Sequence, residues 1–113
     1  MASTPQFVEF VVEQFNASGH IRAQKMFGEY ALYWGDKLFA LVCDNKVYVK
    51  PTVAGRAFLP EVVEAAPYPG AKPSFLIEEQ LEDRAWLATF ARLTVEELPE
   101  PKPKAKKGGL TPK

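Results

Sequence analysis

Few residues in this 113-residue chain could do chemistry. There is one histidine, His20, one cysteine, Cys43, and a crowd of acids at Glu78, Glu79, Glu82 and Asp83. A histidine can shuttle a proton or ligate a metal, a thiolate can attack, and paired acids can exchange protons or hold a divalent cation. None has the company such chemistry needs. No second histidine completes a metal site, and no base-and-orienter pair accompanies His20, which is expected at the end of the first helix. Cys43 stands in an apolar run with Lys46 as its nearby cation, which points to a small buried hydrophobe with a raised pKa. The four acids precede an expected helix, where negative charge complements the helix dipole, so capping and solvation are their expected roles. The glycines form neither a GxGxxG nor a P-loop pattern. No catalytic, cofactor-binding or metal-binding residue is therefore assigned, no cofactor is expected, and the chain is not expected to be an enzyme.

The totals narrow the remaining classes. A hydrophobic fraction of 47% with 25% charged residues is that of an ordinary globular domain. One cysteine cannot form an internal disulfide, so a reducing, cytoplasmic setting is expected. The opening residues MASTPQFVEFVVEQF include Glu9 and Glu13 and lack a positive flank, unlike a signal peptide. No apolar run approaches the roughly 18 residues of a membrane span. The net charge of zero hides an asymmetry. Residues 100–113 carry five lysines against Glu100, while the rest of the chain holds nine basic and thirteen acidic residues. The expected organisation is one domain over residues 1–98 and a disordered Lys/Pro-rich tail over 99–113.

The elements follow from spacing. Thr4 with Pro5, or Ser3 with Gln6, opens a helix whose stripe is Phe7, Val8, Val11, Val12 and Phe15, with Phe10 off it and Ala17 to Gly19 ending it. Residues 21–27 read as a strand, interrupted at Gly28-Glu29 by a bulge or tight bend. In the next strand Tyr30, Leu32 and Trp34 share one face, and Ala31 and Tyr33 the other. Gly35-Asp36 and Asp44-Asn45 are hairpin turns. Residues 38–43 are apolar on both faces and read as a central strand, and 47–50 close the meander before Pro51. Residues 53–65, divided by Gly55 and Pro60, read as two short helical pieces or one broken helix. Residues 74–78 read as a short edge strand, and a last helix runs from Leu81 or Asp83 to Leu93, with a further turn suggested by Thr94 and Glu97. The fold class is α+β: an antiparallel meander of about four to five strands flanked by N-terminal and C-terminal helices.

Two surfaces stand out as candidates for partners. Tyr30, Tyr33, Trp34 and Tyr48 lie on strands, where exposed aromatics would make a partner surface, although core packing claims most strand aromatics. Lys102, Lys104, Lys106 and Lys107 form a basic tail able to contact nucleic-acid phosphates without sequence preference.

Met26-Phe27-Gly28, then Tyr30, Leu32 and Tyr33, then residues 38–42 and 47–50, resemble the N-terminal domain of the TfoX/Sxy competence regulators. Residues 75–81, Glu82-Asp83 and Trp86 are similar to that domain's closing strand and helix. The resemblance covers most of residues 5–95, with Glu29 and Ala31 standing where the family often shows glycine. It implies a compact antiparallel sheet flanked by helices. It also implies a direction of function: full-length members promote expression of DNA-uptake genes in concert with the cyclic-AMP receptor protein. Those members carry a second, C-terminal domain that is not found in these 113 residues. The family offers no catalytic motif to carry over.

The expected function is a non-enzymatic interaction module, a regulator of transcription or DNA-uptake competence acting through protein partners, as monomer or homodimer, with no role in membranes. A small-molecule binder or enzyme with a pocket between sheet and helices, and tail-mediated nucleic-acid binding, are the alternatives.

Overall fold

Thr4 decides how the chain begins. In the computed structural model, which describes residues 3–16 and 20–99, the Thr4 hydroxyl accepts the Phe7 amide at 3.2 Å, and Pro5 takes the first helical position. Ser3 does not form a capping box; its hydroxyl accepts the Asn45 amide instead. Helix α1, Pro5–Phe15, buries Val8, Val11 and Phe15, while Phe10 stays 37% exposed, as its place off the stripe requires.

Four strands follow as a meander: β1 (Ile21–Met26), β2 (Glu29–Trp34), β3 (Lys37–Cys43) and β4 (Lys46–Val49). Three tight turns join them, and each uses left-handed backbone. Phe27 and Gly28 have φ of 50° and 83°, Gly35 has 61°, and Asp44 and Asn45 have 54° and 58°. Two of the turns have positive φ at both central residues and the β2–β3 turn has it at Gly35 alone, the two patterns that match the right-handed twist of the flanking strands. The chain then forms α2 (Val53–Phe58), the short strand β5 (Glu64–Ala65), β6 (Ser74–Ile77), a 3₁₀ turn over Glu79–Glu82, and α3 (Arg84–Glu97).

The sheet is six-stranded and antiparallel throughout, in the order β1-β2-β3-β4-β6-β5. This confirms the α+β class and corrects four details. Six strands replace four to five. Residues 53–65 hold one short helix and then a strand, because Pro60 ends the helical stretch and Glu64 pairs with Phe75. Strand β6 is not an edge, since β4 and β5 flank it. The last helix does not stop at Leu93. Thr94 is buried inside it and donates its hydroxyl to the Phe90 carbonyl, so it does not cap a new turn. The expected helix end at residues 17–19, the tail beyond residue 99 and its four candidate lysines lie outside the described residues.

The register assigns the faces. Leu32, Ala40, Val49 and Phe75 form one cross-strand row, and Val42, Val47 and Ile77 the next. All are buried in one cluster with Phe15 of α1 and Leu87, Phe90 and Ala91 of α3, so the helices cover this face. A bulge between Leu32 and Tyr33 leaves Phe39 without a partner residue on β2. Phe39 is thereby turned to the helices, edge-on to Phe15 at 5.5 Å between ring centroids, and Leu38 to the opposite face. Phe58, Trp86 and Phe90 stack beside this core, with successive centroids 5.3 and 4.8 Å apart.

Polar groups fasten the helices at their ends. Asp83 caps α3 by accepting the Trp86 amide at 3.0 Å. Glu97 reaches from the end of α3 to accept the Val53 and Ala54 amides opening α2, at 2.8 and 3.0 Å. Lys37 donates to the carbonyls of Val95 and Leu98, both at 3.0 Å, and so holds the C-terminal end of α3 at the β2–β3 turn. Buried Gln14 donates to the Leu81 carbonyl at 2.8 Å and accepts from Arg84 at 3.0 Å.

Gly55 is the tightest point of the packing. A methyl group there would stand 2.7 Å from Thr52 Oγ1 and 3.2 Å from the Phe90 ring. Alanine gains up to about 1 kcal/mol of helix propensity over glycine, but the clash and the disturbed Thr52 cap cost about 1–3 kcal/mol. Gly55→Ala is expected to destabilise the fold, measured by urea unfolding; a gain in stability would show the contact to be slack.

Candidate functional site: a groove beneath the Met-Phe-Gly hairpin

The face of the sheet turned from the helices is apolar too. Ala31, Leu41, Tyr48 and Leu76 form its central row, and Ala31 and Tyr48 are buried though neither belongs to the core beneath the helices. Part of this face remains open as a groove of about 810 Å³. Leu38, Leu41 and Cys43 of β3 form its floor. Met26, Phe27, Glu29 and Tyr30 of the first hairpin border one side. Pro67, Tyr68 and Pro69 face them from the loop before β6, which turns back through an Ala71 amide to Tyr68 carbonyl bond. Among the described residues the lining includes two carboxylates, Glu29 and Asp44, and Lys46 of β4 pairs across from the floor residue Cys43.

Phe27 departs from two rules at once. It is 99% exposed, and it adopts φ of 50°, a conformation that glycine and asparagine tolerate and phenylalanine does not favour. It gives up burial and local comfort to stand at the rim of an apolar groove. Tyr68, on the facing loop, is 56% exposed.

Glu29 holds the hairpin to the rest of the domain. One carboxylate oxygen accepts the Ser3 amide and the other the Asp44 amide, each at 2.9 Å. Asn45 closes the frame by accepting the Thr4 amide at 2.9 Å. The start of α1, the first hairpin and the β3–β4 turn are thus tied together. Partial burial opposes ionisation of Glu29, but the two backbone amides outweigh it and hold the carboxyl below its ordinary value. Burial, then the nearby charges of Glu29 and Asp44, push the Cys43 thiol up. Burial does the same to the Tyr48 hydroxyl, helped by Cys43, Asp44 and Glu78. Cys43 is thus a protonated, unreactive floor residue near neutral pH.

The other candidate residues do not gather here. His20 lies at the opposite end of the sheet, where its carbonyl accepts the Gly35 amide at 3.2 Å. No three His, Cys, Asp or Glu residues among the described residues are grouped to hold a metal. Of the four strand aromatics, Tyr48 is buried on the groove face, and Tyr33 lies on that face with the Arg22 guanidinium 4.5 Å from its ring centroid. Tyr30 and Trp34 pack against the helix-side core, Tyr30 also reaching the groove rim. They form no single patch. Phe27, read as a strand residue from sequence, is the aromatic that the structure exposes. Its signal was the Phe-Gly pair in a two-residue hairpin position, where Asn-Gly is the usual choice.

A six-stranded antiparallel sheet backed by helices on one face, with a Met-Phe-Gly hairpin over a groove on the other, defines a small α+β domain without an assembled reaction centre among its described residues. The TfoX N-terminal domain family matches residues 13–98, and the chain belongs to that family. It is 38% identical over 107 residues to an "uncharacterized 12.7 kDa protein in trpE 5′ region" of Spirochaeta aurantia, a match covering 95% of this chain and 93% of that protein. Among the described residues no helix is long and apolar enough to cross a membrane.

Two outcomes test the hairpin. Glu29→Gln removes the charge and one of two acceptors, and is expected to cost about 1–2 kcal/mol at pH 7. Because folding lowers the Glu29 pKa, its stabilisation is present above the ordinary carboxylate value and is lost as pH falls through the folded value. The gap between wild type and variant in urea unfolding should therefore hold from pH 7 down to about pH 5 and narrow as pH falls further; a gap that widens rejects the charge-assisted clamp. Phe27→Asn relieves the left-handed strain and is expected to raise stability by about 0.5–1 kcal/mol. A loss of stability would mean that Phe27 is part of the scaffold.

Proposed function

We propose that this domain is a non-enzymatic regulatory module of the cytoplasm, and that it docks a protein partner on the groove beside Phe27. The carrying observation is Phe27 itself: a large apolar side chain, 99% exposed and held at φ of 50°, next to an apolar floor. Strained backbone and exposed apolar surface are retained where a contact outside the fold uses them. The docking segment should carry apolar side chains for Leu38 and Leu41 and positive charge for Glu29 and Asp44. Membership of the TfoX N-terminal family supports a role in controlling transcription of DNA-uptake genes through such a partner.

The volume of about 810 Å³ also falls in the range of small-molecule sites, which favours a ligand as the second reading. That groove lies on the bare face of the sheet, not between sheet and helices. A metabolite that raises the melting temperature of wild type but not of Phe27→Asn would support that reading.

The protein reading is tested by capture from bacterial extract, with Phe27→Asn against Val53→Ser, a change on α2 at a residue 78% exposed. Wild type and the Val53 variant should retain the same partner, and the Phe27 variant should lose it by about tenfold or more, as for an interface hot spot. Equal capture by all three rejects the groove. Unchanged transcription of uptake genes on deletion rejects the competence role.

A further inference from the structure

Strand β1 is the longer of the two sheet edges, with six residues against two in β5. Its backbone shows which groups face away from the sheet. The His20 carbonyl accepts the Gly35 amide, and this pair continues the register that sets Ile21 against Trp34. Arg22, Gln24 and Met26 therefore exchange bonds with β2, while Ile21, Ala23 and Lys25 turn their amides and carbonyls outward. Asn16 confirms the direction. Its side-chain oxygen accepts the Ile21 amide at 3.2 Å, and its side-chain nitrogen donates to the Ile21 carbonyl at 3.4 Å. One side chain thus fills the place of a neighbouring strand at Ile21. At the other end Phe27, with φ of 50°, leaves the strand conformation. Between these two stops the outward amides and carbonyls of Ala23 and Lys25 have no hydrogen-bond partner among the described residues.

We propose that β1 pairs with β1 of a second copy, antiparallel about a two-fold axis at Gln24, so that two six-stranded sheets become one. The slot matches itself. In this register Ala23 lies opposite Lys25 of the second copy, and Lys25 opposite its Ala23. Each pair exchanges two main-chain bonds, so every outward group of both residues is used. The ladder ends where Asn16 already holds Ile21 and where Phe27 turns away. Other registers fail on the same residues. An axis at Ala23 sets Lys25 against Ile21, whose groups Asn16 occupies. An axis at Lys25 sets two ammonium groups directly opposite each other, which is unfavourable. A slip by one residue offers groups already given to β2.

The side chains fit the same axis. Gln24 is exposed and meets its own copy across it. Its oxygen accepts from Arg22 at 3.2 Å, which leaves its amide nitrogen to donate to the facing glutamine. Arg22, whose guanidinium stands 4.5 Å from the Tyr33 ring centroid, faces Met26 of the second copy. Arg22 and Lys25 are the two cations of this edge, and such charges protect edges from indiscriminate pairing. Here neither directly faces a cation. The two Lys25 side chains are diagonal neighbours, so salt should tighten the dimer by screening them. Pairing along one edge makes a small contact of the transient class. It uses the edge and not the groove, so it stands apart from the docking reading.

The test follows the full chain by sedimentation over a range of concentrations, with amide exchange read by NMR. Wild type should show a monomer–dimer equilibrium, and the Ala23 and Lys25 amides should exchange more slowly as concentration rises. Gln24→Glu and Gln24→Lys each place like charges across the axis and should each weaken the dimer about tenfold or more. An equimolar mixture of the two variants should restore it as a heterodimer, because opposite charges then meet. Gln24 is exposed, so both variants should keep the wild-type melting temperature. A monomer at every concentration, a dimer indifferent to both Gln24 changes, or a mixture that fails to recover would each overturn the proposal. A dimer lost in Phe27→Asn but unmoved by Gln24 gives the contact to the groove, and Ala23 and Lys25 amides that slow only with a foreign partner give the edge to another strand; either result overturns it. If the Gln24 pattern fails while Phe27 still captures a partner from extract, the edge assignment falls and the docking reading stands.

Discussion

The two-residue period of a β-strand governs this molecule. A strand that turns Leu32, Val42 or Val49 toward a helix must turn the residues between them to the other side. Here α1 and α3 both pack on one face, and the opposite face is left with apolar residues and a loop to shelter part of them. The groove is the remainder of that arrangement. The bulge at Phe39 sharpens it, because one unpaired residue sends a phenylalanine into the core and Leu38 to the groove floor.

Side chains that reach across the chain hold the ends of this sheet in place. At one end Glu29, Ser3 and Asn45 join the start of α1 to two hairpins. At the other, Lys37 and Glu97 fix the close of α3 to the β2–β3 turn and to α2. Each satisfies helix-terminal or turn groups that have no partner within their own element. The frame around Glu29 anchors the hairpin whose tip exposes Phe27 at the groove rim.

Part of the site was legible in the sequence, and the reason lies in particular residues. The Met-Phe-Gly hairpin was visible as a family resemblance and as a turn, and the acids around Asp83 were visible as helix caps. Asp83 does cap α3. Glu97 was read as partner to Thr94 three residues earlier, yet it serves a helix more than forty residues away in sequence. No local pattern announces such a contact. The exposure of Phe27 was equally hidden, since an aromatic among strand residues reads as core until the turn geometry is known.

Sequence by itself determined the α+β class, the first helix and its start at Ser3 or Thr4, the hairpin turns at Gly35-Asp36 and Asp44-Asn45 and the central place of β3, because caps, turns and alternation are settled by neighbours along the chain. Tertiary structure decided the rest: the insertion of β6 between β4 and β5, the bulge at Phe39, the remote role of Glu97 and the groove itself. Those features depend on which face each strand shows its neighbour and on contacts between residues distant in the chain. Only the folded chain brings those residues together.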